Sequence, residues 1–195
     1  MEAVLRAWPK AAYPQPNDCG VGLVDMIALL YSVVIYPVIF IFPAYATNAV
    51  PVLLGGGAPL DLGRKFMGKR IFGAHKTIRG LAAGLAAGSL VGVIEWPFFS
   101  YMLQIAVAMA VGAMAGDLFG SFMKRRLGIK SGSSVPILDQ YGFFVFALLF
   151  AYIVDGSALA GVGAAGLIFI TALTGILHLL TNIGAHRLKL KSVPW

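Results

Sequence analysis

Charge is missing from stretches long enough to cross a lipid bilayer, and this constrains the fold more than any single motif does. No Asp, Glu, Lys or Arg occurs from Met26 to Leu60, and none lies between Glu95 and Asp117. Soluble domains are about 25% charged. This chain of 195 residues is 12% charged and 59% hydrophobic, so it belongs with membrane proteins. In hydrocarbon every backbone N–H and C=O must be satisfied within the chain, and ~20 apolar residues in a helix meet that demand.

The expected fold is therefore an all-α integral membrane protein: a bundle of about five transmembrane helices in a single membrane domain, 1–195. Spans are predicted at about 23–47, 80–99, 101–120, 135–154 and 157–184. Pro37, Pro43 and Pro51 suggest kinks or an early end to the first span. Outside the spans lie an irregular outer tail (1–22), two loops (55–79 and 121–134) that form a polar site, and a C-terminus (185–195). Gly80, Gly84, Gly88 and Gly92 repeat every fourth residue, as do Ala108, Gly112, Gly116 and Gly120. Small residues at that spacing let helices approach closely, so spans two and three are expected to pack along these ridges.

Orientation follows from the basic residues. With an odd number of spans, every Lys and Arg except Arg6 and Lys10 falls on one side. By the positive-inside rule that side is cytoplasmic and the N-terminus is outside, giving a multi-pass protein of the cell membrane. The cations cluster where short loops meet spans, which argues against nucleic-acid binding. The acids sort oppositely, apart from Asp61, Asp117 and Asp139. Three acids among so many cations need a reason.

Asp117, Ser121, Lys124 and Arg125 are separated by four, seven and eight residues from the first, which sets them on one stripe of one helix. An acid, a hydroxyl and two cations can hold a metal ion and the phosphates it neutralises. Inside a membrane helix such a group marks a functional site. Arg126 lies about 100° off the stripe and is expected to be a topology charge only. Ser133 or Ser134 is expected to cap span four, with Pro136 in its first turn. Asp139 then lies one turn into that helix, near the level of Asp117. Two carboxylates with phosphate oxygens and water suit Mg2+. The alternatives are a buried ion pair for Asp117, with Lys124 or another cation, and a dipole-complementing acid for Asp139.

The loop from Gly55 to Gly80 interleaves glycines with cations, which suits phosphate wrapping by amides and side chains. Lys76 and Thr77 stand at the start of span two, where a helix N-terminus favours a phosphate. Asp61 could equally form a turn, and individual cations could serve topology alone. Gly63 to Lys69 nearly matches a P-loop, but Arg70 replaces the magnesium-binding hydroxyl and no strand precedes it. No nucleophilic triad or His/Cys metal spacing occurs, and His178 reads as a hydrogen-bonded core residue.

The run Gly116-Asp117-x3-Ser121-x2-Lys124-Arg125, followed by Leu138-Asp139-Gln140, resembles the signature of the CDP-diacylglycerol synthase superfamily. The run Asp61-x-Gly-Arg-x3-Gly-Lys-Arg70-Ile-x-Gly73-x2-Lys76-Thr77-x-Arg79-Gly80 resembles its archaeal branch, the CDP-archaeol synthases. Several superfamily acids are missing: Ser131 follows Lys130 where an acid is usual, and Gly142 stands at another acidic position. Asp117 and Asp139 are left as the metal candidates. The resemblance implies a Mg2+-dependent nucleotidyltransferase. Its partners are CTP, a membrane lipid phosphate with two prenyl chains (digeranylgeranyl glyceryl phosphate) and the lipid bilayer. A lipid phosphate oxygen attacks the α-phosphorus of CTP and pyrophosphate leaves. Asp117, Asp139, Lys124 and Arg125 become the catalytic set, with Asp61, Arg70, Lys76, Thr77, Arg79 and Ser121 binding the nucleotide. A CTP-dependent polyprenol kinase and a small non-enzymatic transporter are the rival readings.

Overall fold

The computed structural model describes residues 22–129 and 135–187. Most of the outer tail, the proposed Ser133 or Ser134 cap and the end of the C-terminus lie outside the described residues. Five helices are long and apolar enough to cross a membrane. They are α1 (Leu23–Leu54), α2 (Ile78–Glu95), α3 (Met102–Arg126), α4 (Pro136–Val154) and α5 (Gly156–Arg187). Between α1 and α2 sits a small hairpin of β1 (Lys65–Phe66) and β2 (Lys69–Arg70).

Span one does not end early. It is one helix to Leu54, with a π-helical turn at Tyr31–Ile35 just before Pro37. The wider turn carries the Tyr36 N–H to the Tyr31 carbonyl, which accommodates the donor that Pro37 lacks. Pro43 and Pro51 stay inside the helix because they face glycines: a side chain at Gly84 would meet Pro51 Cγ at 2.9 Å, and one at Gly88 would meet the Pro43 carbonyl at 2.9 Å. Span three is longer than expected and carries Lys124, Arg125 and Arg126 as its last turn. The second polar loop therefore begins after Arg126 and not at residue 121. Span five breaks at Gly163, whose φ of 67° only glycine adopts cheaply.

The two glycine ridges divide differently from the expected α2–α3 zipper. The α2 ridge is buried against two helices, meeting Thr47 of α1 and Ala106, Ala110 and Met114 of α3. The α3 ridge faces α4: a methyl at Gly112 would lie 2.5 Å from the Phe146 carbonyl, and one at Gly116 would collide with Gly142. Gly120 sits against Leu138. These close approaches set the heights of Asp117 on α3 and Asp139 on α4 at adjoining levels. The rest of the core, built on Phe40, Ile41, Ile105, Met109, Phe143, Phe144 and Ile170, joins α1, α3, α4 and α5.

Candidate active site at one end of the bundle

The loop between α1 and α2 is folded around one acid. Asp61 is buried, and its carboxylate accepts from Arg70 through Nε and Nη2 and from the backbone N–H groups of Gly63, Phe72 and Gly73 at 3.0–3.2 Å. Burial alone raises its pKa. The Arg70 guanidinium and the three amides more than reverse this and hold the carboxyl well below the usual range. Both oxygens are therefore occupied by the loop itself. The hairpin turns at Met67 and Gly68, each at positive φ, the geometry that matches strand twist in a two-residue turn.

Thr77 is the N-cap of α2. Its hydroxyl oxygen accepts from the N–H groups of Gly80 at 3.1 Å and Gly56 at 3.2 Å, tying the helix start to the end of α1. Arg79 donates to the carbonyls of Leu54 and Gly55, where the C-terminus of α1 has carbonyls to satisfy. Asp61, Arg70, Thr77 and Arg79, read from sequence as nucleotide contacts, thus make bonds that shape the loop. Arg79 also heads a groove of about 550 Å³ lined by Leu53, Leu54, Ala82, Ala83 and Ala86.

Lys76 differs from its neighbours. Its ammonium reaches across to α3 and donates to both Asp117 oxygens, at 2.7 and 2.6 Å. Lys124, two turns beyond Asp117 on α3, donates to Asp139 of α4 at 2.5 Å. The N-cap of α4 is Val135, and its N–H donates to the second Asp139 oxygen at 2.9 Å. The stripe holds together as expected: Ser121 and Arg125 are buried and Asp117 and Lys124 are partly buried, all on the inward side of α3. Asp117 is indeed ion-paired, though its partner comes from the α1–α2 loop and not from Lys124. Among the described residues no three acids, histidines or cysteines converge on one point.

Arg126 is not the idle charge that its angle implied. Its guanidinium donates to the carbonyls of Phe66, Lys69 (3.2 Å) and Arg70 (2.8 Å), all on the hairpin. It also lies 5.3 and 5.1 Å from the ring centres of Phe66 and Phe122. In return Lys69 Nζ donates to the Arg126 carbonyl at 3.3 Å. Sequence reasoning missed this clamp because the hairpin was read as open loop. The only available signal was the Met67-Gly68 turn flanked by Lys65-Phe66 and Lys69-Arg70.

The CarS-like family model, described as CDP-archaeol synthase, matches residues 30–195. The chain is 42% identical over 163 residues to CDP-archaeol synthase of Pyrococcus furiosus, covering 80% of this chain and 95% of that one. It is 40% identical over 184 residues to the Methanococcus aeolicus protein of the same name, covering 87% of this chain and all of that one (100%). A solved structure, described as an intramembrane enzyme for archaeal membrane lipids biosynthesis, superposes with a TM-score of 0.58 at 39% identity. It covers 69% of this chain and 90% of that one.

Proposed function

The chain belongs to the CDP-archaeol synthase family, and from that premise we propose how its residues divide the work of a CTP-dependent cytidylyltransferase. The activity places it in archaeal membrane lipid biosynthesis, acting on CTP and a lipid phosphate within the membrane as a multi-pass protein; the kinase and transporter readings find no support. Our finer reading is that the lipid is digeranylgeranyl glyceryl phosphate, that Mg2+ assists, and that the site faces the cytoplasm.

One observation carries this reading: at one end of the bundle two carboxylates on adjoining helices each hold an ammonium group, at 2.6 and 2.5 Å. Positions that already select a cation, offer only oxygen donors and number two carboxylates suit Mg2+. That ion commonly binds one or two carboxylates and completes its shell with phosphate and water. Asp117 and Asp139 would hold it. When bound, the ion would supply charge neutralisation for the triphosphate and a more electrophilic phosphorus.

The remaining work falls to the chain itself. A phosphate monoester is already anionic near neutral pH, so its oxygen can attack the α-phosphorus without a strong general base. Lys124 and Arg125 would stabilise the charge that builds on the departing pyrophosphate. Lys76 would approach the triphosphate from the other side, carried by a loop that Asp61, Arg70, Thr77 and Arg79 keep in shape. The prenyl chains would lie in the apolar groove beside Leu53, Leu54, Ala82, Ala83 and Ala86. The test uses purified protein, labelled CTP and either digeranylgeranyl glyceryl phosphate or phosphatidic acid, with and without EDTA. Formation of a CDP-lipid and pyrophosphate, abolished by EDTA and restored by Mg2+, is the expected result. Full turnover in EDTA would remove the metal from the scheme, and preference for phosphatidic acid would overturn the lipid assignment.

A further inference from the structure

Lys76 and Asp117 form an ion pair that links the α1–α2 loop to α3. The ammonium contacts both carboxylate oxygens, so the chelating edge of Asp117 is filled and cannot also face a second cation. Asp139 is different, because its oxygens are shared between Lys124 and the Val135 amide. We propose that Lys76 is a resident counter-ion: it occupies the edge of Asp117 that a divalent cation takes, and passes to the nucleotide phosphates when that cation arrives. This rests on the reading of Asp117 as a metal ligand.

Three features support the exchange. Asp117 has no other acid on its helix and lies on an inward stripe, so with no metal its charge needs a partner to offset the cost of burial. Each side chain of the pair is 30% exposed, wet enough for a metal ion to compete. The Lys76 backbone is fixed, since its carbonyl accepts from Leu60 N at 2.7 Å and the adjacent Thr77 bridges Pro59. The flexible four-carbon stem can therefore swing without unfolding the loop. The electrostatics agree in sign: the released ammonium is surplus positive charge, and an incoming triphosphate is what it would meet.

The test measures Mn2+ binding by electron paramagnetic resonance, using the full chain in nanodiscs. It compares wild type, Lys76→Met, Lys76→Arg and Asp117→Asn, with and without CTP. Without nucleotide, Lys76→Met should bind Mn2+ about two- to fivefold more tightly, because a partly exposed ion pair no longer has to be broken. Lys76→Arg keeps a cation on the carboxylate and should not show that gain. Addition of CTP should tighten Mn2+ binding in wild type and do so less in Lys76→Met. If Asp117→Asn weakens Mn2+ binding but Lys76→Met leaves it unchanged or weaker, the counter-ion role is wrong and the metal site stands. If Asp117→Asn has no effect on Mn2+, both fall. Should Lys76→Met lose the fold, Lys76→Gln replaces it with the same expected gain.

Discussion

Replacing Arg126 with alanine removes one guanidinium that serves three hairpin carbonyls and lies over two rings. A hydrogen bond to a charged group contributes about 1.5–3 kcal/mol, and a cation over an accessible ring about 0.5–1 kcal/mol. Adding these terms would overcount, because they share one side chain and the freed carbonyls regain water. A docking loss of about 2–3 kcal/mol is reasonable, which shifts the docked-to-undocked ratio of the hairpin roughly 30- to 150-fold. Lys76 sits six residues beyond the hairpin, so an undocked hairpin loosens the loop that carries it. Turnover in the CTP assay should fall at least about tenfold. Hydrogen exchange of the amides in segment 64–71 should quicken in the same protein. Arg126→Lys should recover only part of both, since a point charge cannot serve three carbonyls in a fixed fork. If Arg126→Ala turns over like wild type while its hairpin amides stay protected, the clamp has no role and Arg126 is a topology charge after all.

Asp117→Asn and Asp139→Asn should each lower turnover by orders of magnitude while helicity and elution volume stay as in wild type; full Mg2+-dependent activity in either would remove that residue from the mechanism. Asp61→Asn should cut turnover at least about tenfold and speed exchange in segment 60–73, because Arg70 loses its counter-charge and one of the two acceptor oxygens becomes an NH2 donor facing other donors, and unchanged exchange would refute the loop-organising role. A carboxyl held below its unfolded value stabilises the folded loop at every pH above that value, about 4, and loses the effect only as pH falls toward the lower folded value. The protection that Asp61 gives the loop in wild type should therefore be constant with pH near neutrality and be lost only in acid below about pH 4. Cysteines near Lys10 and near Ile129 should label from opposite faces of sealed vesicles; protection of both together would overturn the outside N-terminus.

Much of the fold was legible because bilayer physics leaves few alternatives. Charge-free length gave five helices, and α4 and α5 begin within a residue of their expected starts. The misses have local causes. Proline usually ends a helix in water, but in α1 the π-helical turn and the facing glycines of α2 absorb Pro37, Pro43 and Pro51. Helix α3 outruns its apolar stretch because cations complement the dipole at a helix C-terminus. A spacing of four marks a face for close packing but does not name the partner. Hence the α3 ridge went to α4 rather than α2.

The site was legible as an inventory and not as a set of pairs. Periodicity put Asp117, Ser121, Lys124 and Arg125 on one stripe, yet partner choice depends on contacts across tens of residues. Lys76 could have met Asp61 or Asp117 by composition alone. The fold decides: Asp61 is enclosed by Arg70 and three amides, leaving no edge for another cation, while Lys76, fixed at the mouth of α2, reaches α3 where the glycine ridge lets the two helices close up. The same reasoning separates the two classes of charge at this end of the bundle. Those that satisfy backbone groups, such as Arg79 and Arg126, hold the walls in place and would be poorly released to a substrate. Those whose partner is another mobile charge, as in Lys76 with Asp117, can change partners at small net cost. Triphosphate chemistry needs both kinds: fixed walls to position the reacting atoms and exchangeable charges to follow the phosphates as pyrophosphate departs.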